Sequence, residues 1–599
     1  MSVVMLGILL ALRLVIACNY KPPKPEEVMA AKTEYPLGSR SKRELPWDWI
    51  RIKIEYDHSF NLLDEEIKEV VEQLVRGARH FFETTVKVHR LASLQLPPRC
   101  KGRSGKLRNS TNCAGLCEKR CGRVIAPQSA HYFGCCTCLG GNNDCNRNHS
   151  NCGGRIIDVD FVLFVSVMED YCEGVLAYAH HCVTDEVTNR PVAGYVNICP
   201  KWLHSFDSHK FGEYVGTIKH ELIHTFVFSP PLFRFFPGAG KHPRRGPTIP
   251  NVVHEFTRVD WETSEGSVIH NVLMMITPKV QEEARRHFNC STLEGAELEG
   301  QGRGKGRGSH WEKRVLENEL MTGVSTQVAA LSRLTLALFE DSGWYIVNYD
   351  NAEDMEWGRN LGCNFATKSC LTWMKSNPLN PYPFCTTYRD SRCSTTRLGK
   401  EQCNLVKANE GFPMFFSSEF DYNIENLYHD EKGNSIVGIG ATDLADYCPY
   451  FERFDNAHEI DINCAFPGTA NYSNYSLEIF SPTARCFQLH GKIEVENEVY
   501  TVGCYEITCK NNLLMIRARN SKFYPCYQEG QVIDVEEGSY SSGTVKLRIV
   551  CPSCSELCGH QYCTTDKFVE EELLHLTSAG IMHRTQSVLV ALLPLFLIS

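Results

Sequence analysis

A chain of 599 residues is long enough for several domains and can bury a large core. Its net charge of −9 lacks the basic surplus that nucleic-acid binding needs, so no nucleic-acid partner is expected. Its 29 cysteines, spread from Cys100 to Cys563 apart from Cys18, point to an oxidising compartment and exclude an ordinary cytosolic protein.

The chain opens MSVVMLGILLALRLVIAC, an apolar stretch too short for an ordinary membrane span, and residues 1–17 read as a signal peptide. Residues 18–43 are Pro- and charge-rich and would hardly fold alone. They end in Arg40-Ser41-Lys42-Arg43, a dibasic site for secretory convertases, and read as a short propeptide. Removing them discards only Cys18 and leaves 28 cysteines, an even number for pairing. Cys18 reads as a remnant of the signal region; the other reading is a thiolate that caps zinc in the precursor. Five sequons, at Asn109, Asn148, Asn289, Asn471 and Asn474, are expected glycan sites.

Trp47 to Tyr56 alternates apolar and polar residues as a strand does, and Leu62 to His80 has helical spacing. Residues 100–152 carry nine cysteines among Gly, Asn and Ser, a disulfide-stapled region. The Cys135, Cys136 and Cys138 cluster reads as disulfides before metal ligands, because the chain is secreted. Strand-like runs follow at Ile156 to Val167, Gly174 to Ala179 and Ala193 to Ile198. They lead into GTIKHELIHTFVF, where Val215, Ile218, Leu222 and Phe226 fall at helical spacing and no proline intervenes before Pro230. Strands leading into a long helix predict an α+β fold.

Beyond Phe228 the chain reads as irregular over SPPLFRFFPGAGKHPRRGP, a helix returns at Pro278 to His287, and a Gly-Arg surface loop follows at residues 300–308. After Trp344, 15 cysteines run from Cys363 to Cys563. The terminal CPSCSELCGHQYC has zinc-ribbon spacing, but secretion favours disulfides. Ser578, Ala579 and Gly580, a short polar spacer and the apolar tail SVLVALLPLFLIS make a GPI-attachment signal with Ser578 as the attachment residue.

Within HELIH, His220 and His224 stand one helical turn apart, so both rings can reach one ion. Glu221 beside them can serve as base on a water held there. A short metzincin motif would continue with Gly at position 227 and a third His soon after. Here position 227 is Val and no such His follows. The distant candidate is His310, eleven residues before Met321, a spacing that suits a metzincin site with a methionine turn.

The stretches WDWIRIKIEYD, GVLAYAHHC, AGYVNICP, HELIHTFVFS, EARRHFNCSTLEGAELEGQG, SHWEKRVLENELM and WGRNLGCNF resemble, in order, the leishmanolysin family of surface zinc proteases. The resemblance implies an α+β, metzincin-type catalytic domain with an inserted central domain between the second and third histidines, and a disulfide-rich C-terminal domain. It makes His220, His224 and His310 the ligands of one zinc ion per chain, Glu221 the general base and Met321 the Met-turn residue. It makes Gly174, Val175, Leu176 and Ala177 part of an edge strand that aligns extended substrate. The implied division is 44–229 for the catalytic subdomain with the HELIH helix, 230–347 for the central domain, 348–577 for the Cys-rich domain and 578–599 for the anchor signal. The expected activity is zinc-dependent cleavage of protein or peptide substrates, extracellular matrix or plasma proteins among them. It would act at the cell surface, on the membrane through a GPI anchor, or as a secreted form. The alternative is a catalytically silent adhesion or binding protein on the same scaffold. Val227 departs from the family's Gly, and Val disfavours positive φ, so the helix exit must be reshaped.

Overall fold

The computed structural model describes residues 18, 20–36, 45–100, 117–134, 137–138, 145–146, 153–172, 174–203, 206, 210–241, 246–300, 307–324, 326, 329–408, 417–453, 463–467, 476–495, 498–540, 543–559 and 563. The signal region, the Arg43 cleavage site, Asn109, Asn148, Asn471, Asn474 and Ser578 lie outside the described residues. Backbone contacts divide the chain into two units, residues 1–389 with 403–452, and residues 390–402 with 453–599. Residues 348–389 and 403–452, expected in a separate Cys-rich domain, therefore share the unit that carries the HELIH helix.

In the larger unit a mixed five-stranded sheet combines β1 (Met29–Ala31), β2 (Ile52–Tyr56), β3 (Phe161–Ser166), β4 (Ala177–Asp185) and β5 (Pro191–Ile198). Its spatial order is β1-β4-β5-β3-β2. Only β4 and β5 pair antiparallel; the other pairings are parallel. Parallel strands are buried on both faces and so read as unbroken apolar runs. β3, FVLFVS, is buried at every position. One face of the sheet takes α1 (Glu65–Thr85), which buries Val71, Leu74, Val75, Ala78 and Phe82 at helical spacing. The same face takes α2 (Phe211–Phe226), the HELIH helix. Trp47 to Tyr56 is not one strand: Trp47–Trp49 pairs with Val86–His89, and only Ile52–Tyr56 joins the main sheet.

Between the irregular stretch after Phe228 and the helix at Pro278, where no element was expected, lies a long antiparallel hairpin, β6 (Val253–Thr263) and β7 (Gly266–Met275), with a bulge between Arg258 and Trp261. After it come α3 (Pro278–Phe288), which Asn289 ends in a left-handed conformation, and β8 (Ala296–Leu298), which pairs with β7. Asn289 is exposed there, as a glycan acceptor must be. A further helix, α4 (Arg333–Asp341), packs on α3, and its Asp341 carboxylate accepts the Lys279 and Val280 backbone N–H groups.

The smaller unit is built on a six-stranded antiparallel sheet of β9 (Ala484–Val495), β10 (Glu498–Lys510), β11 (Leu513–Arg517), β12 (Tyr524–Cys526), β13 (Val532–Tyr540) and β14 (Gly543–Val550), in the order β12-β11-β10-β9-β14-β13. The cysteines of CPSCSELCGHQYC form disulfides here, Cys526–Cys551, Cys509–Cys558 and Cys554–Cys563, so they hold no ribbon-type metal.

Candidate metal centre

α2 presents His220 and His224 to the interior at i, i+4, and both are buried. His310, on the loop after β8, comes up against them. Ring centroids are 4.8 Å apart for His220–His224, 5.3 Å for His220–His310 and 5.0 Å for His224–His310. Each ring has its Nδ1 taken by an atom that can only accept. His220 Nδ1 donates to the Leu320 carbonyl at 2.7 Å, and His224 Nδ1 to the Phe228 carbonyl at 2.8 Å. His310 Nδ1 meets the Glu299 carboxylate at 2.7 Å. The proton of each neutral ring is thereby fixed on Nδ1, and the Nε2 lone pairs converge.

Burial keeps the first two rings neutral: it pushes His220 down to about 3, and it drives His224 well below the ordinary histidine range. His220 Nε2 and His224 Nε2 then stand 3.1 Å apart with no proton to share, and buried His310 Nε2 has no hydrogen-bond partner. Lone pairs so arranged repel one another unless a cation lies between them. Nitrogens bound tetrahedrally to zinc at ~2.1 Å sit about 3.4 Å apart, so the spacing is close to what that ion requires.

A fourth donor completes the set, and it corrects the reading of Cys18 as a remnant. Cys18 is buried with its Sγ 3.5 Å from His224 Nε2. The donor atoms of Cys18, His220, His224 and His310 all lie within 4.8 Å of one another. Burial first, then the nearby Glu221 carboxylate, pushes the thiol well above its ordinary value, so only a cation at the centre would draw off its proton. The rest of the segment is docked beside it. The Tyr20 ring stacks on His224 at 4.0 Å, and its hydroxyl is 2.6 Å from Ser229 Oγ. β1 lies parallel along β4, and Thr33 donates to the Asp185 carboxylate at 2.6 Å.

Glu221 is fully buried; the Cys18 thiol and the Ala179 amide lie near its carboxylate, but neither stands in good hydrogen-bond geometry to it. Burial raises its pKa well above the ordinary carboxylate range, and nearby Cys18 and the Ala179 amide only partly offset this. An unpaired buried carboxylate costs several kcal/mol in a merely structural role, whereas a base needs its lone pairs free. Met321 is buried in the turn that supplies the Leu320 carbonyl.

The edge strand begins later than expected. Gly174, at φ +77°, lies in a turn with Val175 and Leu176 ahead of β4, and of the four residues only Ala177 is in the strand. The Cys172–Cys199 disulfide closes that turn, and the Leu176 carbonyl accepts the Cys199 N–H. Val227 has φ −151°, well away from the left-handed region that glycine favours, and the helix stops at Phe226 rather than lengthening. The Val227 and Phe228 N–H groups both bond to the Ile223 carbonyl, which turns the Phe228 carbonyl back onto His224.

Another buried cluster, His270, Glu297 and Asp446, already has its cation. Arg314 donates to Asp446 at 3.0 Å and to Glu297 at 2.6 Å. Sequence reasoning missed Glu299 and the turn carbonyls, and it ranked Cys18 as a zinc-capping thiolate behind the reading as a remnant. The one available signal was Cys18, the odd cysteine in an otherwise even set.

The leishmanolysin sequence profile matches residues 138–564. The chain is 33% identical to the leishmanolysin-like peptidase of Caenorhabditis elegans, an alignment covering 91% of this chain and 90% of that protein. This chain belongs to the leishmanolysin family. The leishmanolysin-like peptidase of Drosophila melanogaster is also 33% identical, over 86% of this chain and 81% of its own length. Leishmanolysin of Leishmania major is 29% identical over 55% of this chain and 47% of its own. Membership supports a metalloprotease that acts on proteins or peptides, with a metal that in this family is typically zinc.

Proposed function

We propose that this chain is the precursor of a secreted or cell-surface zinc endopeptidase. One observation carries the reading: three buried imidazoles, each with Nδ1 engaged and Nε2 turned inward, beside a buried carboxylate with no well-formed hydrogen bond. His220, His224 and His310 would hold the ion, with Cys18 as a fourth ligand until the prosegment leaves. Zinc bound there supplies Lewis acidity that polarises the scissile carbonyl and stabilises negative charge on its oxygen. Glu221 takes a proton from water as the water oxygen adds to the carbonyl carbon. The C–N bond then breaks, and Glu221 delivers that proton to the departing amine. Cleavage after Arg43 would free the segment that carries Cys18 and Tyr20. The leader, the cysteine content and the Ser578 signal support an extracellular, lipid-anchored location, where matrix or plasma proteins would be the substrates.

The test uses protein processed after Arg43, with zinc content and cleavage of a denatured protein substrate read with and without phenanthroline. About one zinc per chain and chelator-sensitive cleavage are expected. Glu221→Gln should retain zinc and lose cleavage by on the order of 10²-fold or more. Undiminished turnover in that variant would remove Glu221 from its role. Zinc without cleavage in the unsubstituted protein would leave a silent binding scaffold.

A further inference from the structure

One of the carbonyls that orient the metal-binding rings belongs to a turn with an anchor of its own. The Leu320 carbonyl accepts the His220 Nδ1–H, and Leu320 lies between Glu319 and Met321. Glu319 is fully buried. One of its carboxylate oxygens accepts the Met321 backbone N–H. The other accepts the Ser332 N–H at 3.2 Å, the Ser332 hydroxyl at 2.7 Å and the Thr335 hydroxyl at 2.6 Å. The Thr335 oxygen in turn accepts the indole N–H of Trp311, the residue after His310, at 2.9 Å. Trp311 N–H bonds to the Met321 carbonyl at 3.0 Å, which closes the loop. Trp311 also packs edge-on against Phe228, whose carbonyl holds His224.

All four donors to Glu319 are neutral. A buried carboxylate held only by neutral donors is an expensive way to cap a helix, since a hydroxyl or amide would serve. What it supplies is two acceptor oxygens in fixed positions, which ties the 319–322 turn to the start of α4 and to the His310 loop at once. We propose, resting on the zinc-site reading above, that Glu319 is a positioning residue for the metal centre. It fixes the turn so that the Leu320 carbonyl holds His220 with Nε2 toward the ion, and it steadies His310 through Thr335 and Trp311. Glu319 touches neither ion nor substrate, and it acts through the orientation of two ligands.

Glu319→Gln is the direct probe. Glutamine keeps the volume but has one acceptor oxygen, so either the Met321 N–H or the Ser332 and Thr335 donors meet an N–H₂ group. The readouts are zinc affinity by chelator competition, the visible spectrum of the cobalt(II)-substituted protein, and kcat and KM on a peptide. The expected result is zinc held about 10- to 100-fold more weakly, a changed cobalt spectrum, and a fall in kcat with KM within about twofold. A variant of lower thermal stability with unaltered zinc affinity, cobalt spectrum and kcat per bound zinc would overturn the proposal and leave Glu319 a helix cap. Should Glu319→Gln fail to fold, Thr335→Val removes the hydroxyl that donates to Glu319 and accepts from Trp311 and should weaken zinc in the same direction, while Thr335→Ser, which keeps the hydroxyl, should not. Equal zinc affinity in those two variants would also overturn it. Zinc affinity is read without turnover, so a protein that binds zinc and cleaves nothing sinks the protease reading and leaves this one to stand or fall on its own.

Discussion

Val227 shows how a single side chain can be wrong for a motif and right for a structure. A glycine at this position offers positive φ; the valine has no need of it, because the chain leaves the helix at φ −151°. Its side chain is fully buried in the main core instead. Restoring the family's glycine by Val227→Gly should therefore lower stability by about 2–3 kcal/mol, from lost apolar burial and added backbone freedom. Activity per folded, zinc-loaded molecule should not rise. Denaturant unfolding and kcat measured together check this, and a more active variant of unchanged stability would mean that Val227 distorts the site. The same scale explains what HELIH left unsaid. Two ligands and the base are local in sequence and legible at once, but His220 takes its orientation from the Leu320 carbonyl and the third ligand, His310, from Glu299, and no spacing rule links those to the helix.

At the scale of elements, the prosegment folds by borrowing. Residues 18–36 are too polar and Pro-rich to build a core, and by composition they read as unstructured. The exposed backbone edge of β4 gives Met29–Ala31 a partner at Val183–Asp185, and Thr33–Glu34 pairs with Ser93–Leu94 in the same way. A strand completed by a neighbour's edge carries little signal of its own. The β6–β7 hairpin escaped notice for a related reason. Most of β6 is exposed or half-buried, so the clean alternation that marks a strand is blurred. α3 was legible to within a residue, whereas α1 runs five residues past the expected His80 and the run at Ile156 to Val167 is two strands, Ile156–Ile157 and β3.

If the docked prosegment keeps the precursor latent, its grip has three parts: Cys18 at the ligand cluster, Tyr20 on His224, and the β1 pairing. Cys18→Ser in the uncleaved precursor removes the first and leaves the others. It should raise chelator-sensitive cleavage on the order of tenfold, the worth of ~1.4 kcal/mol, and still fall short of Arg43-processed protein. A Cys18→Ser precursor as inert as the parent, with zinc bound in both, would show that the thiol contributes nothing to latency.

At the scale of the whole molecule, the metal cluster belongs to one unit, while each unit closes disulfides of its own. All four donor residues of the metal cluster are in the larger unit. The smaller unit closes its own disulfides, Cys393–Cys486, Cys464–Cys504, Cys509–Cys558, Cys526–Cys551 and Cys554–Cys563, around its own core of Phe487, Tyr505, Leu514, Ile516, Val535, Leu547 and Ile549. A ligand stabilises only the cooperative unit that binds it, by ~4 kcal/mol when present at about a thousandfold above its Kd. Calorimetry on the zinc-loaded protein should therefore show two transitions. Stripping zinc with a chelator should lower one of them by a few degrees, since a unit this large converts each kcal/mol into a small shift. The other transition should not move, because no described residue of the smaller unit joins the cluster. Two transitions that shift together would mean that the units unfold as one cooperative body, and two that ignore the chelator would mean that zinc is bound elsewhere or not at all.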